Sequence, residues 1–277
     1  MPRTGQTLRG FAIAGGDTAD WVERSARIGY FAKGVVYLVV GGLAAAAAFG
    51  TGGQTTGSEG ALQTILRQPF GRVLLSIVAL GLIGYVFWRF VQGAADVEHK
   101  GSDAEGLVTR GYYLLSALTY SALVVTAVRM VIGAGGGSSD GTEQQTATLM
   151  SQPFGRWLVG LVGLGVIAAA FHQWSRAWKA SFRKRMAYNL VSPDTATWLV
   201  RLGRAGLAAR GVVFAIIGGF LVSAAVRADP DQAKGLGEVL ATLERQPYGP
   251  WLLAAVAIGL VLYGAHQLAK ARLRRVG

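Results

Sequence analysis

The sequence predicts an all-α, polytopic membrane protein of six transmembrane helices in three tandem two-helix repeats, and three observations predict it. An eight-residue phrase is written three times, as Thr64–Gly71 (TILRQPFG), Thr148–Gly155 (TLMSQPFG) and Thr242–Gly249 (TLERQPYG), each time between two apolar runs. Apolar residues make up 52% of the chain against 15% charged, with 40 glycines and a mean hydropathy of +0.38, too apolar a surface for a soluble domain. Lysine and arginine are also shared unequally between alternate connections, as in a protein threaded through a membrane.

The spanning segments are read between flanking charges. A bilayer core of about 30 Å calls for about 20 mainly apolar residues, and the charge-free windows are Gly34–Ser58, Val73–Trp88, Gly111–Val128, Trp157–Ser175, Gly211–Val226 and Tyr248–Ala269. Several are short, and the expectation is that Lys33, Arg89, Arg129 and Arg210 snorkel toward headgroups and lengthen each helix.

Of the 27 lysines and arginines, twenty fall in the amino-terminal segment, the two long connections and the tail. The positive-inside rule then places both termini in the cytoplasm and the protein in the cell membrane, the first helix serving as an uncleaved anchor. Arg176, Lys179, Arg183, Lys184 and Arg185 can face anionic headgroups. The net charge of +12 has no aromatic-basic module beside it, so nucleic acid is not an expected partner.

The repeats lie 84 and 94 residues apart on the Gln-Pro phrase. The chain divides into an amino-terminal segment (1–20), a first repeat (21–98), a second (104–180), a basic linker (181–197) and a third repeat with a basic tail (198–277). The first and third repeats share Arg27-x-Gly29-x-x-Ala32-Lys33-Gly34-Val35-Val36-Tyr37 and Arg204-x-Gly206-x-x-Ala209-Arg210-Gly211-Val212-Val213-Phe214. The middle repeat keeps Gly111 and Tyr112 and has Leu115 and Ser116 where the basic-Gly pair stands elsewhere. Gly34 and Gly41, Gly211 and Gly218, and the aligned Gly81, Gly165 and Gly259 are expected at helix contacts, since close approach by small residues drives association in lipid.

The phrase itself reads as a corner. An amphipathic stretch starting at Ser58-Glu59 lies in the outer interface, and proline suits the first turn of the next helix. Gln68, Gln152 and Gln246 are candidate N-caps, with Pro69, Gly71, Pro153, Gly155, Pro247 and Gly249 as structural parts of the motif. Phe70, Phe154 and Tyr248 are expected to anchor it at headgroup level.

The chemistry is sparse. Zero cysteines exclude disulfides and thiolate sites, and no HExxH, Walker or GxSxG pattern occurs. His172 and His266 occupy matched positions, near enough to a helix end to reach water, and neither has a carboxylate in its span to serve a proton path or a metal. Lys33 and Arg210 are read as anchors, with lipid phosphate or an anionic substrate as a second role. No catalytic, cofactor-binding or metal-ligating set follows, and no enzyme activity is expected. Gly135–Ser139 reads as a flexible loop.

The two phrases, in their threefold pattern, resemble the bacterial family called domain of unknown function 1206. The resemblance covers nearly all of the chain after Trp21 and implies an integral membrane protein of three tandem units, without an activity to carry over. Each unit crosses twice, so the repeats are parallel, around an axis along the membrane normal. A structural or accessory module packing with lipids or a partner membrane protein is the expected function. A small channel or transporter along the axis is the alternative, and a lipid-modifying enzyme using His172 and His266 a third. A scaffold predicts Gly, Ala, Val and Leu at the axis, and a pore predicts a polar stripe.

Overall fold

The computed structural model describes residues 17–95, 101–134, 141–180 and 191–273. The loop at 135–139 and the basic run at 183–185 lie outside them. Each repeat is a long helix, a short helix and a long helix: α1 (Asp17–Ala48), α2 (Ser58–Leu66) and α3 (Gly71–Ala94); α4 (Ala104–Ile132), α5 (Gly141–Met150) and α6 (Gly155–Lys179); α7 (Pro193–Arg227), α8 (Leu236–Glu244) and α9 (Gly249–Leu273). The six long helices are long and apolar enough to cross a membrane, so the protein is a multi-pass membrane protein. The short helices lie on one side, here the hairpin face; the connections α3–α4 and α6–α7 lie on the other, the linker face.

Capping explains several boundaries. Asp103 accepts from the Gly106 N–H at 3.1 Å to open α4, and Ser192 accepts from Thr195 at 3.3 Å to open α7, whose first residue is Pro193. Arginines close helices of the preceding repeat. Arg110 donates to the carbonyls of Gly93 and Ala94 at the end of α3, and Arg204 to that of Ala177 in α6.

The corners differ from the sequence reading. Gln68, Gln152 and Gln246 are not N-caps; their backbone carbonyls accept from Gly71, Gly155 and Gly249 at 2.8, 2.8 and 2.7 Å, and the helix starts after the aromatic residue. That aromatic residue is left-handed, with φ of 59° at Phe70, 61° at Phe154 and 61° at Tyr248. The glycine behind it has no choice of side chain, because a Cβ on Gly71, Gly155 or Gly249 would collide with the carbonyl oxygen of Leu66, Leu149 or Glu244. The proline thus sits in the turn, not in the first helical turn. The aromatic rings are largely exposed, as an anchor requires. Gly57 precedes α2 without a side-chain cap, and α2 turns Ala61, Leu62 and Ile65 into the core instead of lying on the bilayer surface.

The helices pack in a cycle. The second long helix of each unit lies against the first of the next: α3 on α4, α6 on α7, α9 on α1. Small residues make two of these seams. A Cβ on Gly34 would stand 3.0 Å from the Gly264 carbonyl, and one on Gly218 2.8 Å from that of Gly163. This is close backbone approach without hydrophobic driving force, as expected in lipid. Within repeats, α1 meets α3 and α7 meets α9, while α4 and α6 meet only through side chains such as Tyr112 and His172. The pseudo-threefold is therefore broken in the middle unit.

Candidate functional site

Inside the linker-face half of the bundle the sequence reading is overturned. Lys33, Arg89 and Arg210 do not snorkel: they are 0%, 4% and 3% exposed. The reason is their helix face. Lys33 shares α1 with Tyr30, Val36, Tyr37 and Val40, all buried, and points to the axis rather than along the helix toward headgroups.

Tyrosines receive these cations. Lys33 Nζ donates to the Tyr85 hydroxyl at 2.7 Å, and Arg89 Nε donates to the same oxygen at 2.8 Å. Arg210 Nε donates to the Tyr37 hydroxyl at 3.0 Å and Nη1 to that of Tyr112 at 3.2 Å. Ring faces add to this. Lys33 Nζ lies 4.2 Å from the Tyr120 ring centre and 4.5 Å from that of Tyr85. The Arg210 guanidinium carbon lies 4.2 Å from Phe214 and 4.9 Å from Tyr263, and that of Arg89 lies 4.9 Å from Tyr113. Neighbouring cations share rings: Tyr85 serves Lys33 and Arg89, Tyr112 serves Arg89 and Arg210, and Tyr37 serves Arg210 and Lys33. Three positive side chains are thus joined in a closed triangle.

No carboxylate can neutralise the triangle from within. Across the six spans the sole Asp or Glu is Asp194, in the first turn of α7. Two unit charges about 5 Å apart repel by roughly 3 kcal/mol at an effective dielectric of about 20. Hydroxyls and ring faces solvate such charges without cancelling them.

The second helices continue the polar layer. Gln173 and Gln267 hold the places of Arg89 on α6 and α9, both fully buried, and neither amide has a hydrogen-bond partner among the described residues. Buried amides are ordinarily satisfied. His266 is fully buried rather than at water, and Lys270 is buried one turn further on, 5.5 Å from the Tyr30 ring. His172 is half-buried, its ring 5.0 Å from that of Tyr112. The two histidines therefore differ in setting, and among the described residues no group of three or more His, Cys, Asp or Glu could hold a metal ion.

Above the triangle, toward the hairpin face, lies a cavity of about 820 Å³. Arg210, Tyr37 and Tyr120 line it, and Gly57, Glu59 and Glu238 of the short-helix layer line it too. Val213, Phe214 and Leu260 join the lining beside these polar groups. Burial pushes the Glu59 carboxyl above the usual carboxylate range, against an opposing Thr126 hydroxyl donating at 3.5 Å.

Three segments of the chain, 28–96, 112–180 and 205–274, each match the family model described as Domain of Unknown Function (DUF1206). The chain belongs to the DUF1206 family. Each match runs from the first long helix to the end of the second, so the DUF1206 unit is one repeat and the tyrosine-cation layer is assembled from all three. The chain is also 40% identical over 256 residues to "Uncharacterized protein YxxB" of Bacillus subtilis (strain 168), covering 92% of each chain. No solved structure matches.

The glycines singled out in the sequence are at contacts, with one exception. The Ala32 methyl covers Gly81 and that of Ala209 covers Gly259, whereas a Cβ on Gly165 would have 3.9 Å to Leu115. Arg89 carried no functional reading in the sequence. Its signal was the tyrosine pattern: seven of nine tyrosines belong to the long helices' buried faces, and Tyr85 stands four residues before Arg89.

Proposed function

We propose that this DUF1206 protein is an anion-binding membrane protein whose ligand completes the Lys33–Arg89–Arg210 triangle. One observation carries the reading: three buried cations share tyrosines in spans that hold no carboxylate near them. An uncompensated buried charge is expensive, and intramembrane ionisable groups mark ligand or ion sites. The buried amides of Gln173 and Gln267, without a hydrogen-bond partner among the described residues, add donors at the same level. A multiply charged oxyanion such as phosphate suits this donor set, because it accepts from guanidinium, ammonium and amide groups together. The role proposed is binding or carriage, because the layer presents cationic and amide donors suited to holding an anion.

The basic connections support an orientation with the linker face, and both termini, on the cytoplasmic side of the cell membrane. Lys33 then lies six residues beyond Arg27, roughly 9 Å into the helix from that side.

The test is thermal unfolding of the purified full chain in neutral detergent, titrated with phosphate, sulfate and chloride. A ligand at 100 times its Kd stabilises by about 2.7 kcal/mol. Phosphate or sulfate is expected to raise Tm in a saturable way that Arg210→Gln abolishes. A Tm that follows ionic strength alone, alike for all three salts and for the variant, refutes the site.

A further inference from the structure

The departure of the middle repeat from the other two has a structural consequence at this site. In the outer repeats the two long helices meet through glycine and alanine. A Cβ on Gly29 would stand 2.7 Å from the Tyr85 backbone, and one on Gly206 2.5 Å from that of Tyr263. Arg110 and Arg204, each closing the helix before it, fix the register of α4 against α7. That register corrects the sequence alignment by one residue: Ser116, not Leu115, takes the place of Lys33 and Arg210, Tyr112 of α4 replaces Gly206, and Leu115 replaces Ala209. Two large side chains thus wedge α4 from α6 where small ones draw the other pairs together.

The wedge opens the cavity wall. α4 lends Thr119 and Ala122, both exposed, to the cavity lining, and among the described residues α6 lends none. From the hairpin face, by contrast, a free anion would pass Glu59 and Glu238. Charge thus disfavours the aqueous route, and the split repeat leaves a route from the hydrocarbon.

Resting on the anion site proposed above, we infer that the α4–α6 cleft is a side entrance and that the ligand is the phosphate head of an amphiphile. The phosphate reaches Arg210 and Lys33, and the hydrocarbon tail stays in the cleft beside Leu115 and Thr119. The shared chemistry with a free anion is the phosphate; the tail is the difference.

The chain has no cysteine, so Thr119→Cys supplies a single thiol. The full-length variant is placed in phosphatidylcholine nanodiscs and its modification by a small membrane-permeant maleimide is timed. Lysophosphatidic acid, a single-chain phosphate monoester, is compared with inorganic phosphate and with lysophosphatidylcholine. Lysophosphatidic acid is expected to slow labelling at least tenfold, lysophosphatidylcholine and inorganic phosphate not. Leu115→Ala, which gives α4 the small residue of the other repeats, is expected to weaken lysophosphatidic acid binding about tenfold, with inorganic phosphate binding retained. Binding of inorganic phosphate without protection by lysophosphatidic acid overturns the side entrance and leaves the anion site standing. Binding of neither overturns both. Equal protection by the two lysolipids overturns phosphate recognition in the cleft. If Leu115→Ala does not fold, the labelling of Thr119→Cys decides alone.

Discussion

Lys33 and Arg89 donate to one oxygen, the phenolic oxygen of Tyr85, at 2.7 and 2.8 Å. With both acceptor positions taken by cationic donors, the phenolic hydrogen is left to donate to Ser116 Oγ, 3.3 Å away. Ser116 stands in α4 where Lys33 stands in α1 and Arg210 in α7, in the register set by Arg110 and Arg204. The middle repeat thus gives up a cation and gains a hydroxyl that accepts from Tyr85, the group solvating Lys33 and Arg89. A third cation from a first helix would have added repulsion where no carboxylate is at hand.

Tyr85→Phe should therefore be far worse than an ordinary loss of a hydroxyl. It strands two buried cationic donors, and hydrogen bonds to charged groups are worth about 1.5–3 kcal/mol each. A loss of about 3 kcal/mol or more is expected in denaturant unfolding of the detergent-solubilised protein. Combining it with Lys33→Met should recover part of that loss. Additive losses in the double variant would show that Lys33 does not depend on Tyr85.

Two first-helix glycines give a contrast. Gly206→Ala presses a methyl against the Tyr263 backbone, where overpacking costs about 1–3 kcal/mol. Gly111→Ala in the middle repeat meets nothing within 4 Å and should be neutral or slightly stabilising through helix propensity. Thermal unfolding of the two variants side by side checks this, and equal losses would contradict the close α7–α9 approach at Gly206.

The corners make a sharper case. Gly249→Ala places a Cβ on the Glu244 carbonyl, so the turn must open before α9 can start. A loss of about 2–3 kcal/mol is expected. Tyr248→Gly instead relieves a left-handed residue, a conformation that costs about 1–2 kcal/mol for side chains other than glycine. It also removes an exposed aromatic anchor. In detergent it should be neutral or stabilising; marked destabilisation there would mean that the ring packs on protein.

Much of the architecture was legible because membrane folding writes itself in composition. Charge-free windows gave the six spans, and the repeated Gln-Pro phrase gave the units. Gly34, Gly41, Gly211 and Gly218 marked seams correctly, although the sequence could not say that these join neighbouring repeats rather than partners within one. The site was half legible. Lys33 and Arg210 stood out, and ending each apolar window at a charge assigned them to the surface by construction. Periodicity along one helix does not reveal that Tyr37, Tyr85 and Tyr112, from three helices, converge on the same charges. Gln68, Gln152 and Gln246 misled for another reason: left-handed aromatics are uncommon, so a polar cap was the better prior.

Acidity should act on the hairpin face through Glu59. Its carboxyl is half-buried in the folded protein and held above its ordinary range, while in an unfolded chain it titrates at the ordinary value. The folded state therefore binds more protons between those two values, and stability falls as pH rises through that window. Its stabilising contribution is fully present below the unfolded value and is lost above the folded one. Unfolding of the wild type from pH 4 upward should show this decline, and Glu59→Gln, which keeps the shape and cannot ionise, should flatten it. The same variant removes a carboxylate from the wall above Arg210, so inorganic phosphate should bind it more tightly at neutral pH than it binds the wild type. A decline unchanged in Glu59→Gln would assign the titration to another group and detach Glu59 from the cavity.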